Sequence, residues 1–435
     1  MELSVAAAQE LTPPGRRLAP GGIGGPRPVA VIGRDPRASG EFLEAAVVAG
    51  LASSGVDVLR LGVLPTPGVA YLTRALAADF GVVISASHNP AEDNGIKFFG
   101  PGGVKLPDAV EDAIEARLRA GQPFAPRDSG FGRVSEATAE HERYLDHLLA
   151  TLGGASGRPL AGLKLVVDCA HGAAYSIAPR VLRRAGADVI TIGVEPDGLN
   201  INRGCGSTAL GALSKAVIEH GADAGIAYDG DADRCLAVDG DGELLDGDQI
   251  LTILATELKD EGKLAGDGVV VTVMSNQGFH LAMREAGVTV IETPVGDKHV
   301  SAAMRDSGYQ LGGEQSGHII MLEHATTGDG VLTSLHLLAA VNRRGLTMAV
   351  AARMMRKYPQ LLVNVPGDGS RLGHNRLAAA VSRAESQLGG DGRVLVRPSG
   401  TEPKIRLMVQ ARDAVLAEQI IGQLADEVRL ALAEN

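Results

Sequence analysis

Residues 28–86 read PVAVIGRDPRASGEFLEAAVVAGLASSGVDVLRLGVLPTPGVAYLTRALAADFGVVISA, and this stretch decides the fold. The apolar run Val29-Ala30-Val31-Ile32 reads as a strand. It is followed by a segment, Ser39 to Ser53, whose apolar residues recur at helical spacing. Strand Val56–Leu61, helix Val69–Ala77 and strand Phe80–Ala86 continue the alternation. Short β-branched runs that alternate with helices imply a parallel sheet covered by helices. Helical segments near Asp108–Ala120 and Ala137–Leu152 close this first unit.

The same grammar restarts at Leu163 (LKLVVDCA), runs through helix Ile177–Ala185, strand Val189–Ile192 and helix Leu213–His220, and reaches strand Ala224–Tyr228. It restarts once more at Val269 (VVVTVMSN), with helix Phe279–Ala286, strand Val288–Glu292 and a helix near Val300–Asp306. After helices between Gly330 and Tyr358 the order changes to strand, helix, strand, strand, helix, from Gln360 to Ala433. The expected fold class is α/β: three consecutive α/β domains and a small C-terminal α+β domain around a central cleft. The expected boundaries are 1–155, 156–258, 259–365 and 366–435. Before the first strand, Ser4 to Leu11 reads as a short helix. The cluster Gly21–Gly25 precedes a strand, whereas a dinucleotide fingerprint follows one, so it reads as a loop.

Composition limits the function. A chain of 435 residues exceeds one compact core. Its net charge of -11 argues against a nucleic-acid partner, which needs a basic face, but leaves room for a local cationic cleft. The absence of Trp and the 3% aromatic content count against stacking platforms. Cys169, Cys205 and Cys235 form neither a disulfide framework nor a CxxC metal site and read as small buried hydrophobes. No signal peptide and no apolar run long enough to span a bilayer is visible, so the cytoplasm is expected and no membrane partner. Nothing in the sequence specifies an oligomeric state.

Four loops carry chemistry. Ile84-Ser85-Ala86-Ser87-His88-Asn89-Pro90 follows a strand directly, the end at which open α/β sheets bind ligands. Pro90 keeps Asn89 extended. Ser87 is then either an exposed nucleophile on a rigid turn or part of a turn that satisfies its own backbone. Asp229-Gly230-Asp231-Ala232-Asp233-Arg234 stands at another strand end, with three carboxylates at alternate positions able to converge on one cation. Hard oxygen ligands select Mg2+ or Ca2+, and Arg234 and Gly240 stand where an EF-hand needs Gly and Glu. Asp239-Gly240-Asp241-Gly242, between two apolar runs, reads instead as a hairpin turn. Gly312-Gly313-Glu314-Gln315-Ser316-Gly317-His318 offers Glu314 and Ser316 to a ligand's hydroxyls, and reads equally as a plain glycine-rich loop. Arg397-Pro398-Ser399-Gly400-Thr401-Glu402-Pro403-Lys404-Ile405-Arg406 combines two guanidinium forks with small hydroxyl residues, the composition of an anion nest.

These four loops in this order resemble the α-D-phosphohexomutase superfamily over nearly the whole chain. GEQSGH at Gly313–His318, CGST at Cys205–Thr208 and GPGG-V-K at Gly100–Lys105 are similar to its glucosamine phosphate branch, while mannose and glucose phosphate relatives more often carry Met where Gln315 stands. The resemblance implies a phosphoserine at Ser87, Mg2+ held by Asp229, Asp231, Asp233 and an oxygen of that phosphate, and a hexose 1,6-bisphosphate as activator. It implies that Glu314 and Ser316 read sugar hydroxyls, and that Arg397, Ser399, Gly400, Thr401 and Arg406 hold the non-reacting phosphate of a small phosphosugar. Lys97 matches a lysine implicated in proton transfer. Its pKa would then have to be lowered from about 10.4 by neighbouring cations and burial. His88, Arg37, Arg234, Lys298 and His318 match other positions of the site. The implied reaction is interconversion of an amino-hexose 6-phosphate and 1-phosphate, in the synthesis of amino-sugar nucleotides and cell-wall precursors.

The likeness departs at two places. The superfamily normally opens with a strand bearing a TDG-aliphatic-RG motif. This sequence begins at what reads as the following helix, so its first domain is expected to lack that strand and its arginine. Ala209 stands where the glucosamine phosphate branch usually has His. Three other readings fit the same loops: a mannose or glucose phosphate mutase, a Mg2+-dependent phosphatase with Asp229 as nucleophile, and a phosphosugar-binding protein without turnover.

Overall fold

The computed structural model describes residues 1–12, 27–121, 130–153, 157–367, 375–398 and 403–433. The Gly21–Gly25 cluster and Ser399, Gly400 and Thr401 lie outside the described residues.

The chain divides into two compact units. The first comprises residues 1–273 and 289–353, the second residues 274–288 and 354–435. The first unit contains three sheets. In the first sheet the strands stand in the order Ile96–Phe99, Phe80–Ile84, Val29–Arg34, Asp57–Val63, Val134–Glu136. All neighbours are parallel except Ile96–Phe99, which returns antiparallel. Val29–Ile32 and Phe80–Val83 are buried, as expected of central parallel strands with helices on both faces. Helices Glu2–Leu11, Ser39–Ser53 and Asp108–Ala120 pack on this sheet, with Ala6, Ala7, Ala8, Leu51 and Ile114 in the core.

The second sheet orders Leu244–Leu245, Cys235–Asp239, Ala224–Tyr228, Lys164–Asp168, Asp188–Ile192. The last three are mutually parallel, and Cys235–Asp239 turns back antiparallel beside Ala224–Tyr228. The Asp239–Gly242 turn closes the hairpin to Leu244. The third sheet orders Thr289–Thr293, Gly268–Thr272, Leu311–Gly313, Ile319–Met321. The α/β class expected from the alternation is the class observed. Four short strands, Ile96–Phe99, Val134–Glu136, Leu311–Gly313 and Ile319–Met321, escape the sequence reading. Each has only three or four residues, too few for an alternation to register.

Two capped helices fix loops of the first unit. Asp246 and Gln249 form a reciprocal capping box at the start of helix Gly247–Asp260, and Gly247 N donates to Gln315 O at 3.0 Å. Asp329 caps helix Gly330–Arg343 through Leu332 N, and Gly330 N donates to Ala232 O at 2.9 Å. A β-carbon on Gly330 would stand 2.3 Å from Arg234 O, so only glycine allows this helix to start against the aspartate loop.

The second unit is a three-stranded antiparallel sheet in the order Gln360–Pro366, Lys404–Gln410, Arg393–Pro398, with helices Asn375–Leu388 and Ala414–Ala433. Its order of elements is the strand, helix, strand, strand, helix expected. Helix Gln277–Glu285 belongs to this unit: Gln277 N donates to Gln410 Oε1 at 2.6 Å, and Asn276 bonds the Tyr358 backbone. Among the described residues no helix is long and apolar enough to cross a membrane.

Candidate active site

Ser87 follows the buried strand Phe80–Ile84 and adopts a left-handed backbone (φ 52°), unusual for a residue with a β-carbon. Local bonds impose that conformation. Ser87 N donates to Ser85 Oγ at 2.9 Å, and Ser85 Oγ donates to Asp35 Oδ2 at 2.6 Å. Arg37, only 1% exposed, bonds this turn. Its Nε donates to Asp35 Oδ2, its Nη2 to Ser87 O at 3.1 Å and Asn89 O at 2.8 Å, and its Nη1 to Asp93 O and Pro90 O. Arg37 therefore grips the backbone of the serine loop with both terminal nitrogens of its guanidinium, while Nε is anchored on Asp35.

The carboxylates of Asp229, Asp231 and Asp233 converge, with one oxygen from each lying within 4.8 Å of the others, and all three residues are buried. Ser87 Oγ donates to Asp229 Oδ2 at 2.6 Å, which places the serine hydroxyl at this cluster. Thr66 Oγ1 donates to Asp231 Oδ2 at 2.6 Å, and Arg234 N to Asp229 Oδ1 at 3.1 Å. Asp231 Oδ1 is buried with no hydrogen-bond partner among the described residues. A buried anionic oxygen without a donor is costly, and a hard divalent cation is the group that three such carboxylates fit. Burial, and then the carboxylates of Asp233 and Asp231, push the Asp229 carboxyl well above its ordinary range.

Lys97 Nζ lies 2.8 Å from Asp231 Oδ2 and 3.8 Å from Asp233 Oδ2. This corrects one expectation. The sequence reading looked for neighbouring cations to lower the lysine, but its neighbours are carboxylates. Burial opposes the ammonium, yet Asp231 and Asp233 outweigh it and raise the pKa above that of a free lysine. Lys97 stands here as an ammonium.

His318 is buried, and its Nε2 accepts Gly328 N–H at 3.1 Å, which leaves the Nδ1 proton facing Asp233 Oδ1 at 3.6 Å. Glu314 Oε1 accepts Gly296 N at 3.2 Å, and Ser316 Oγ is buried without a partner among the described residues. His88 is half-buried, and burial followed by the Arg234 charge holds its imidazole below the usual value. Lys298 instead pairs with Asp108 at 2.9 Å and with Glu111. A cleft of about 700 Å³ is lined by Ser87, His88, Lys97, Arg234, Lys298, Glu314 and His318 together with Lys105 and Asp297. The structure thus brings most of the residues singled out in the first three loops to one cavity.

Three contributors carried no clear sequence signal. Thr66 is 165 residues from the aspartate it touches, although its place after strand Asp57–Val63 follows the same strand-end rule. Asn202 donates to Ser87 O and Asn89 O across 115 and 113 residues. Lys105, noticed only inside the GPGG-V-K run, pairs with Asp297, and burial pulls its ammonium down to about 8.

In the second unit Arg397 and Arg406 are register partners across adjacent antiparallel strands. Burial, then the Arg406 charge, lowers the Arg397 pKa, which marks a concentration of positive charge.

A hydroxyl on a rigid turn, set against converged carboxylates in a cleft that also holds cations, is the equipment of a phosphoryl-transfer enzyme. Family models for phosphoglucomutase/phosphomannomutase match the chain in sequence order: α/β/α domain I over residues 23–123, domain II over 142–242, domain III over 246–358 and the C-terminal domain over 362–427. The chain belongs to this family. It is 61% identical to phosphoglucosamine mutase of Thermobifida fusca (strain YX) over 438 aligned residues, covering 100% of this chain and 95% of the relative. Its fold is similar to a phosphoglucomutase/phosphomannomutase family protein from Burkholderia thailandensis, with TM-score 0.80 and 22% identity over 99% of this chain and 93% of the other. It is also similar to Aspergillus fumigatus N-acetylphosphoglucosamine mutase, solved with GlcNAc-6P and magnesium, with TM-score 0.66 and 22% identity over 84% of this chain and 92% of the other.

Proposed function

We propose that the chain interconverts glucosamine 6-phosphate and glucosamine 1-phosphate, an intramolecular phosphotransfer catalysed by an isomerase. The observation that carries this reading is the 2.6 Å hydrogen bond from Ser87 Oγ to Asp229 at the centre of the carboxylate cluster. The 61% identity to a phosphoglucosamine mutase over the full chain supports the amino-sugar substrate. The three buried cysteines fit a reducing cytoplasm.

Ser87 carries the transferable phosphoryl group. The sugar's 1-hydroxyl oxygen attacks that phosphorus, the bond from phosphorus to Ser87 Oγ breaks, and the product is the 1,6-bisphosphate. The hydroxyl's proton passes by exchange through Lys97, which as an ammonium protonates the departing Ser87 oxygen. The bisphosphate then turns over in the cleft, Ser87 Oγ attacks the 6-phosphorus, the bond from phosphorus to the sugar's O6 breaks, and the serine proton passes through Lys97 to O6 as the 1-phosphate is released. A hexose 1,6-bisphosphate recharges any Ser87 that has lost its group. Asp229, Asp231, Asp233 and a phosphoserine oxygen would hold Mg2+, which when bound supplies neutralising charge to the transferring group. Arg37 positions the serine loop, and His88, Arg234, Lys298 and His318 line the substrate cleft. Glu314 and the Ser316 hydroxyl are set to read sugar hydroxyls, and Arg397 and Arg406 of the second unit offer two guanidinium groups to a phosphate. We assign the four functional segments to 1–155, 156–258, 259–365 and 366–435.

Ser87→Ala decides the matter. The parent chain should take up label from 32P-hexose bisphosphate and show an adduct of about 80 Da, one phosphate on a serine, in its intact mass. The variant should lose both the label and turnover. Label or turnover that persists in the variant would place the nucleophile elsewhere.

A further inference from the structure

Asn202 stands in the loop after strand Asp188–Ile192 and reaches the serine loop of the neighbouring sheet. Its Nδ2 donates to Ser87 O at 2.9 Å and to Asn89 O at 3.0 Å, the same two carbonyls that accept from Arg37 Nη2. Each carbonyl therefore accepts from two donors, a guanidinium of its own sheet's loop and a carboxamide from the sheet that carries the aspartates. Asn202 itself is left-handed (φ 59°), and its N–H donates to the carbonyl of Ala170, itself left-handed (φ 55°) beside His171 (φ 49°). A run of non-glycine residues in this sparsely populated region persists only where surrounding contacts over-determine it. Gly230, inside the aspartate loop, completes the junction: a β-carbon there would stand 2.5 Å from Ser87 O and 2.8 Å from Asn202 Nδ2.

We infer that Asn202 is a positioning residue for phosphoryl transfer, its carboxamide fixing the left-handed Ser87 turn at the aspartate cluster. This rests on the proposed role of Ser87. Without the amide, the Ser87 and Asn89 carbonyls keep only Arg37, and the serine hydroxyl is free to move away from Asp229 while the cleft that binds the sugar is unchanged.

The test uses the full-length chain with Mg2+, glucosamine 6-phosphate and a catalytic amount of glucose 1,6-bisphosphate. Asn202→Gly suits the positive φ and removes the carboxamide together with its β-carbon. Asn202→Asp keeps the side-chain volume and replaces the two N–H donors by acceptors. For both variants kcat should fall by about ten- to a hundredfold, the scale of an ångström-sized misplacement, with KM within about threefold. Labelling of Ser87 by 32P-bisphosphate should slow in parallel, and the melting transition of Asn202→Gly should stay cooperative. Parental kcat and labelling rate in either folded variant would overturn the inference. A loss expressed only in KM or in melting temperature would do so too, since it would make the contact merely structural. If the parent chain itself neither turns over nor labels, the proposed function has failed instead, and the two failures are distinguishable.

Discussion

Two Asp-Gly-Asp sequences, Asp229–Asp231 and Asp239–Asp241, stand at opposite ends of the strand Cys235–Asp239. At the second, Asp239 Oδ1 accepts the amides of Asp241 and Glu243, both at 3.0 Å, while Asp241 points into solvent. That turn satisfies its own backbone and asks nothing of a ligand. At the first, the carboxylates face each other in a buried cluster, they receive donors from Ser87, Thr66 and Lys97, and Asp231 Oδ1 still has no hydrogen-bond partner among the described residues. Identical residue types therefore do opposite work. What separates them is where the carboxylate oxygens point: toward the turn's own amides, or toward a shared point between sheets.

The largest expected difference is catalytic. Asp231→Asn should lower turnover of glucosamine phosphate by roughly 10²–10³-fold, the loss seen when one preorganised charge at a reacting centre is removed. Asp241→Asn should stay within about twofold of the parent, because exposed substitutions away from a site shift energies by about 0.5 kcal/mol or less. A coupled assay with both variants side by side measures this. Equal losses would erase the distinction between the two loops.

The glycines of the two loops differ as well. A β-carbon on Gly230 would meet Ser87 O at 2.5 Å, whereas one on Gly240 would meet nothing closer than 3.5 Å. Gly230→Ala should therefore cost about ten- to a hundredfold in kcat by displacing the serine turn, and Gly240→Ala should be silent in kcat. Steady-state kinetics on the two alanine variants is the check, and a silent Gly230→Ala would mean that the serine loop tolerates displacement.

Metal dependence comes third. Saturating the first loop with Mg2+ at about a hundred times its Kd should raise folding stability by about 2.7 kcal/mol, by mass action on the native state. The gain, read by thermal or denaturant unfolding with and without a chelator, should vanish in Asp231→Asn and persist in Asp239→Ala. A gain that survived in Asp231→Asn would move the cation out of the cluster.

The sequence made the distinction between these loops legible because each stands at a readable place. The first follows the apolar run Ala224–Tyr228 at a strand end, and the second lies between two apolar runs. Ser87 was legible for the same reason. What the sequence hid were contacts with no local pattern: Thr66 on Asp231 and Asn202 on Ser87 join residues more than a hundred positions apart. Lys97 shows a subtler limit. Its place after the serine loop was plain, but the sign of its pKa shift depended on which charges the fold would bring to it, and the fold set Asp231 and Asp233 beside it. Arg37 shows the same for direction: the sequence offered a cation at the site, and the fold aims it at backbone carbonyls. Strand Ile96–Phe99 was missed because four residues carry too little periodicity to count.

The smallest effect tests the second loop on its own terms. Asp239 is buried and accepts two amides, so Asp239→Ala should leave those N–H groups without their acceptor and lower stability by about 1–3 kcal/mol. Because the turn lies at the far end of the strand from Ser87, kcat should hold. Asp239→Asn keeps an acceptor oxygen and should recover most of the loss, which separates the hydrogen bonds from the charge. Chemical denaturation of both variants measures the difference. If Asp239→Ala instead abolished turnover at unchanged stability, strain at one end of the strand would be reaching the other, and the two loops would have to be treated as one device.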